Sequence, residues 1–313
     1  MKSYFDLQGD GGSNIAAQVA EQQKRLLDRL ARVRWVVAVM SGKGGVGKSL
    51  LTANLALAFA AAGRRVGVLD GDLNGPSIAA MLGVRQQRFP AAAQGLEPAR
   101  SSQGIKVLSM DLFLAGDATP VTWEGPPRET YMWRGNLEVN TLRHFLTEAA
   151  WGELDFLLID LPPGTDRLQN VSSLLPESAA AVVVTIPSEM SQFIVGKSIT
   201  MATEVVKRRV LGVVENMAGY VCQGCGEIGP LFSSSESAVM LAARHGVPYL
   251  GGIPFDPRLG AASDAGRPFL LEHPEAPASR AITSVARLIE AGLVEVEQPS
   301  TTTAPATQHG DLP

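Results

Sequence analysis

The sequence predicts an α/β fold, a mainly parallel sheet with helices on both faces. Three observations predict it. Short apolar runs recur along the chain, at 35–40, 156–159 and 180–186 among others, as strands buried on both sides require. Helical patterns separate these runs, and parallel strands need such crossovers. The first run passes through a glycine-rich loop into a long helical pattern opening at Lys48.

Taken in order, Ser13 or Asn14 can cap a first helix, and Ile15, Val19, Leu26, Leu30 and Val33 form the apolar stripe that docks it. Residues 35–40 are the first strand, and the helix over 48–62 stops at Gly63. The run 65–70 is the next buried strand and ends in Asp70-Gly71-Asp72. Residues 83–127 are rich in Gly and Pro and are expected to carry a hairpin that includes 105–110. Leu137, Leu142, Phe145, Leu146 and Ala149 share one side of a helix over 137–150. A strand at 156–160 leads into Leu161-Pro162-Pro163-Gly164-Thr165. Strands at 180–186 and 211–215 flank a helix over 190–209, and 249–253 and 278–292 are the last strand and the last helix. The expected division is an N-terminal helix and leader over 1–33, one α/β domain over 34–295 that includes the glycine-rich loop and both cysteines, and a disordered tail rich in Thr, Pro and Ala over 296–313.

At 313 residues the chain is long for one domain but within the range of large α/β domains. Its net charge of −4 offers no basic field for nucleic acid or an anionic membrane. No apolar run is long enough to span a bilayer, and residues 1–10 lack the layout of a signal peptide, so a cytoplasmic location is expected. The two cysteines lie three apart, which suits a metal or redox pair better than a disulfide framework.

The loop itself, Ser41-Gly42-Lys43-Gly44-Gly45-Val46-Gly47-Lys48-Ser49, fills the spacing G-x-x-x-x-G-K-S/T with Gly42, Gly47, Lys48 and Ser49. Glycines let successive N–H groups close on phosphate oxygens, and the following helix adds its positive end. Lys48 would reach the β- and γ-phosphates of ATP, and the Ser49 hydroxyl would ligate Mg²⁺. Asp72 and Asp160 both stand just past strand ends, where ligands of open α/β sheets bind. Asp160 follows four apolar residues and would hold Mg²⁺ directly or through water, and Asp70 would orient Asp72 or the metal's water shell. Either carboxylate alone could be a loop cap. Both, beside a phosphate loop, read as a site.

Lys43 is not needed to cradle phosphate. It resembles the extra lysine of the deviant Walker A ATPases: the MinD, ParA, nitrogenase iron protein and Mrp-type (ApbC-like) families. That resemblance implies a P-loop NTPase fold and a homodimer in which Lys43 reaches the partner's phosphates, as an arginine finger does. It also makes Asp72 the switch I aspartate acting on the attacking water, and 162–165 switch II. The motifs narrow the resemblance to the Mrp-type family: Asp160-Leu161-Pro162-Pro163-Gly164-Thr165, the switch from Asp70 to Ser77, Trp133-Arg134-Gly135, Glu215-Asn216-Met217, and Gly252 to Pro257. By the same resemblance Asn216 contacts the adenine ring.

Cys222-Gln223-Gly224-Cys225-Gly226 falls where that family places its metal-binding pair. Two thiolates cannot complete a four-ligand site, whereas a two-fold homodimer supplies four. The resemblance therefore implies an ATPase that carries a bridging 4Fe–4S cluster to apo-protein clients. A zinc site and a redox pair stay open at this stage, as does a MinD/ParA-like positioning ATPase. Three departures stand out: Leu50 in place of Thr, Asp166 in place of a second switch II glycine, and Thr185-Ile186-Pro187-Ser188 in place of T-T-P-Q. The stripe Ile282, Val285, Ile289 and Leu293 reads as core rather than as a membrane-surface anchor.

Overall fold

The computed structural model describes residues 15–88, 96–116, 119, 121, 130–165, 167–232 and 237–297. In chain order the elements are α1 (Ile15–Leu30), β1 (Val33–Ser41), α2 (Lys48–Ala61), β2 (Val66–Asp70), α3 (Ile78–Met81), β3 (Ala99–Arg100), β4 (Lys106–Leu108), α4 (Thr130–Glu148), β5 (Leu154–Asp160) and α5 (Arg167–Ser172). There follow β6 (Ala180–Thr185), α6 (Glu189–Thr200), β7 (Arg209–Val221), β8 (Ile228–Gly229), α7 (Ala238–Arg244), β9 (Tyr249–Phe255), α8 (Pro257–Asp264), α9 (Phe269–Glu272) and α10 (Pro277–Glu297).

The strands form one sheet in the order β3-β4-β2-β5-β1-β6-β7-β8, with β9 also on β7. All pairings are parallel except β3–β4 and β7–β8. This is the predicted class. Successive residues of β1 serve opposite faces, as the pleat dictates. Trp35, Val37 and Val39 pack with Leu51, Leu55 and Phe59 of α2 and with Ile282, Val285 and Ile289 of α10. Val36, Ala38 and Met40 pack with Leu26 and Leu30 of α1 and with Leu142, Phe145 and Leu146 of α4. Phe59 stacks on Phe156 of β5 at 3.9 Å, which fixes α2 over the sheet centre. The α10 stripe, Leu293 included, is buried in this core, and no helix among the described residues is long and apolar enough to cross a membrane.

Several expectations shift. Val33 opens β1 rather than closing the helical stripe, and α4 begins at Thr130, not 137. The helix expected over 190–209 ends at Thr200 and widens into a π-turn over Met201–Val205, and Lys207 takes φ 52 before β7 starts. The Thr203 hydroxyl donates to the Ile199 carbonyl at 3.0 Å, and such back-bonding loosens a helix end. β7 runs six residues beyond its expected end at 215, because β8 folds back and pairs Tyr220 and Val221. The expected hairpin at 105–110 is the short β3–β4 pair, turned at Gly104 with φ 79. The caps Ser13 and Asn14, the switch II residue Asp166, and 298–313 of the expected tail lie outside the described residues.

Candidate nucleotide site and thiol hairpin

The phosphate loop leaves β1 at Ser41, whose hydroxyl donates to the Lys43 carbonyl at 3.0 Å and sets the first turn. Two glycines are dictated by their surroundings. A Cβ on Gly42 would lie 2.6 Å from Cγ2 of Ile194, so α6 presses directly on the loop. At Gly47, with φ 79, a Cβ would lie 2.2 Å from Nδ2 of Asn216. That amide donates to the Val46 carbonyl at 2.9 Å, while the Val46 side chain sits in the core. Gly47→Ala would therefore meet both a clash and a left-handed backbone. It is expected to weaken ATP binding at least about tenfold, a loss of roughly 1.4 kcal/mol, read by titration with a fluorescent nucleotide; unchanged affinity would contradict this account of the loop.

Behind the loop a polar knot forms on Asp160, the last residue of β5 and fully buried. Lys48 Nζ lies 2.7 Å from its Oδ1, Ser49 Oγ donates to Oδ2 at 2.6 Å, and Thr52 Oγ1 lies 2.9 Å from both Oδ1 and the Lys48 carbonyl. Thr52 was missed from sequence. It stands four residues after Lys48 and thus on the same helix face, a spacing that could have found it. Ser49 and Asp160 bring hard oxygen donors together, the donor type that Mg²⁺ takes. The chemistry of the pair fits that ion.

Asp70 anchors the loop that follows it. Its carboxylate accepts from the N–H groups of Ser77 and Ile78 at 2.9 and 3.1 Å, from Ser109 Oγ at 3.0 Å and from Asp72 N–H at 3.3 Å. These bonds fold the loop after β2. Burial pushes the Asp70 carboxyl well above the usual carboxylate range, and the charge of Asp160 adds to the rise. Asp72 is only half-buried and faces a cavity of about 250 Å³ with Lys43, Lys48, Ser49, Ser77 and Pro163. Pro163 closes one side of it, and the Gly164 N–H donates to the Ser41 carbonyl at 3.2 Å. The structure thus gathers Lys43, Gly44, Gly45, Val46, Gly47, Lys48, Ser49 and Asp72 around one space, with Asp160 beneath. Asn216 of β7 stands against the loop as well, its amide bracing the Val46 carbonyl.

Neither cysteine lines this cavity. Cys222 and Cys225 occupy the tip of the β7–β8 hairpin, closed by Cys222 N–H to the Glu227 carbonyl and Gly226 N–H to the Cys222 carbonyl, both at 2.9 Å. Cys222 is half-buried and Cys225 exposed, and both are free thiols. The Cys222 thiol is held below its usual range by the N–H groups of Cys225 and Gly224 and by the Cys225 side chain. Among the described residues no group of three or more His, Cys, Asp or Glu stands ready to hold a metal.

A family model described as ParA, NUBPL iron-transfer P-loop NTPase, matches residues 32–290. The chain belongs to this family. A protein of Saccharolobus solfataricus named iron–sulfur cluster carrier protein is 42% identical over 273 residues, covering 87% of this chain and 88% of the relative. The cytosolic Fe–S cluster assembly factor NUBP2 of Bos taurus is 40% identical over 266 residues, covering 83% and 93%. Among solved structures, a nucleotide-binding protein of Archaeoglobus fulgidus in complex with ADP superposes with a TM-score of 0.65 at 40% identity, covering 79% of this chain and 92% of that one. The cell-division ATPase MinD of Pyrococcus furiosus reaches a TM-score of 0.55 at 24% identity over 82% of this chain and 99% of its own, a likeness of fold alone.

Proposed function

We propose that this chain is an ATP-hydrolysing iron–sulfur carrier that holds a 4Fe–4S cluster between two copies of itself and transfers it to apo-proteins. The observation that carries the reading is the pair of accessible thiols, one acidified by backbone N–H groups, on a hairpin where no group of three or more metal ligands forms among the described residues. A second copy completes four thiolates, the number such a cluster takes. The relatives named for cluster carriage and assembly, one of them cytosolic, support the cargo and a cytoplasmic setting. The MinD-like alternative has only the shared fold behind it.

ATP would enter the cavity with its phosphates against the N–H groups of 44–49. Lys48 would exchange Asp160 for the β- and γ-phosphates. Ser49 and Asp160 would hold Mg²⁺, which supplies charge neutralisation on the phosphate oxygens. Asp72, held by the Asp70 loop, would orient the attacking water, and Lys43 would serve the partner's nucleotide.

Anaerobic reconstitution, with absorption, iron, sulfide and zinc measured on one sample, tests the cargo. The expected result is iron–sulfur absorption that Cys222→Ser and Cys225→Ser abolish, nucleotide binding intact, and activation of an apo-acceptor by the loaded protein on adding ATP and Mg²⁺. A colourless zinc-only dimer, or thiols that cycle to an intrachain disulfide without metal, would overturn the reading.

A further inference from the structure

The strand that carries the thiols is also the strand that braces the phosphate loop. Asn216 donates to the Val46 carbonyl, and the methyl carbon of Met217 comes within 3.9 Å of the place a Gly47 Cβ would occupy. Successive side chains of a regular strand point to opposite faces. Here two neighbours reach the same loop residue. Met217 makes this possible by taking φ 56, one of two positive values among the described non-glycine residues. The pairing with β9 breaks at the same place. It jumps from Asn216–Ile253 to Tyr220–Phe255, so β7 spends four residues where β9 spends two. Bulges of this kind re-aim a strand and gather beside functional sites.

Beyond the bulge the hairpin is tied to the end of β9. Tyr220 stacks on Phe255 with ring centres 6.4 Å apart, and the Gln223 side chain, between the cysteines, donates back to the Val221 carbonyl at 3.4 Å. On the other side of the bulge, one planar peptide joins the two partners of the link. The Val46 carbonyl accepts from Asn216, and the Gly47 N–H of the same peptide unit belongs to the phosphate cradle. Turning that N–H toward a phosphate oxygen turns the carbonyl on Asn216. A left-handed methionine between two anchored segments is a point at which small shifts bias which arrangement the hairpin adopts.

We propose that Asn216 and Met217 are positioning residues that couple nucleotide occupancy of the phosphate loop to the geometry of the Cys222–Cys225 hairpin. The proposal deepens the carrier reading, on which it rests for what the thiols hold. Linkage makes the effect reciprocal: a group bound by the thiols must alter affinity for nucleotide by the same factor.

The test reads the thiols directly. The chain has two cysteines, so a chromogenic aromatic disulfide reports on this pair alone. Reduced, metal-free full-length protein is reacted with and without Mg²⁺ and a non-hydrolysable ATP analogue, at saturation verified for each variant. In the wild type the analogue is expected to change the rate at least about fivefold, the low end of ordinary coupling. Met217→Gly, which frees the backbone and removes the side chain, is expected to bind the analogue and bring that ratio to one, and Met217→Leu to keep the ratio. A wild type without nucleotide dependence, or a Met217→Gly protein that retains it, overturns the proposal. Amide hydrogen exchange on the wild type needs no variant: the analogue must alter protection across 216–222, and protection gained at 42–49 alone also overturns the link. Failed cluster transfer with an intact thiol response would remove the cargo and leave the link. Intact transfer with no thiol response would remove the link alone.

Discussion

Replacing Lys43 with alanine is expected to leave ATP binding largely in place and to lower turnover by about 10³-fold or more, the effect of withdrawing a finger cation. The backbone at this position does not depend on its side chain, because Ser41 Oγ holds the Lys43 carbonyl. Lys43 stands at the mouth of the cavity beside exposed Gly44 and Gly45, whereas Lys48 is buried on Asp160. A cation at the mouth can leave its own chain. One at the floor cannot. Mixing Lys43→Ala with Lys48→Met subunits separates the two cases. A mixed dimer places ATP on the intact Lys48 of one chain and offers it the intact Lys43 of the other. Statistical mixing then restores up to about a quarter of wild-type turnover. No recovery in mixtures shown to exchange subunits, or an equal loss of affinity in both variants, would remove the trans role.

The parts of this molecule written in local pattern were legible before the structure. The strand–loop–helix around Gly42 to Ser49, the buried runs that became β1, β2, β5 and β6, and the core stripe of α10 all follow from spacing and polarity over short windows. What escaped depends on distant partners. α3, α5, α8 and α9 are eight residues or fewer, too short to show a period against their flanks. The continuation of β7 past 215 exists because β8 returns to pair with it, and no property of 216–221 alone announces that. The brace from Asn216 to Val46 spans 170 positions of sequence. Its geometry needs a left-handed residue at 217, and methionine gives no hint of one, as glycine or asparagine would. The family resemblance pointed to Asn216 for an adenine contact, and the brace on Val46 is a separate feature that only the fold brings into view.

Lys48→Met is expected to weaken the fold as well as the site, which distinguishes it from Lys43→Ala. Asp160 is fully buried, and Lys48 at 2.7 Å is the cation against it. Removing one partner of a buried pair leaves a carboxylate with only hydroxyl donors, here Ser49 and Thr52, and typically costs about 3–5 kcal/mol. For a chain of this size that corresponds to a fall in Tm of roughly 5–8 °C. The double variant Lys48→Met with Asp160→Asn removes the stranded charge and should regain part of the loss, so the two substitutions will not add. ATP supplies the second readout. At a hundred times Kd, a ligand that binds only the folded state stabilises it by about 2.7 kcal/mol. Wild type and Lys43→Ala should both show that rise in Tm with Mg²⁺ and ATP, and Lys48→Met should show none. If Lys48→Met melts with the wild type and still responds to ATP, then Lys48 neither neutralises Asp160 nor holds the phosphates, and the assignment of the loop fails with it.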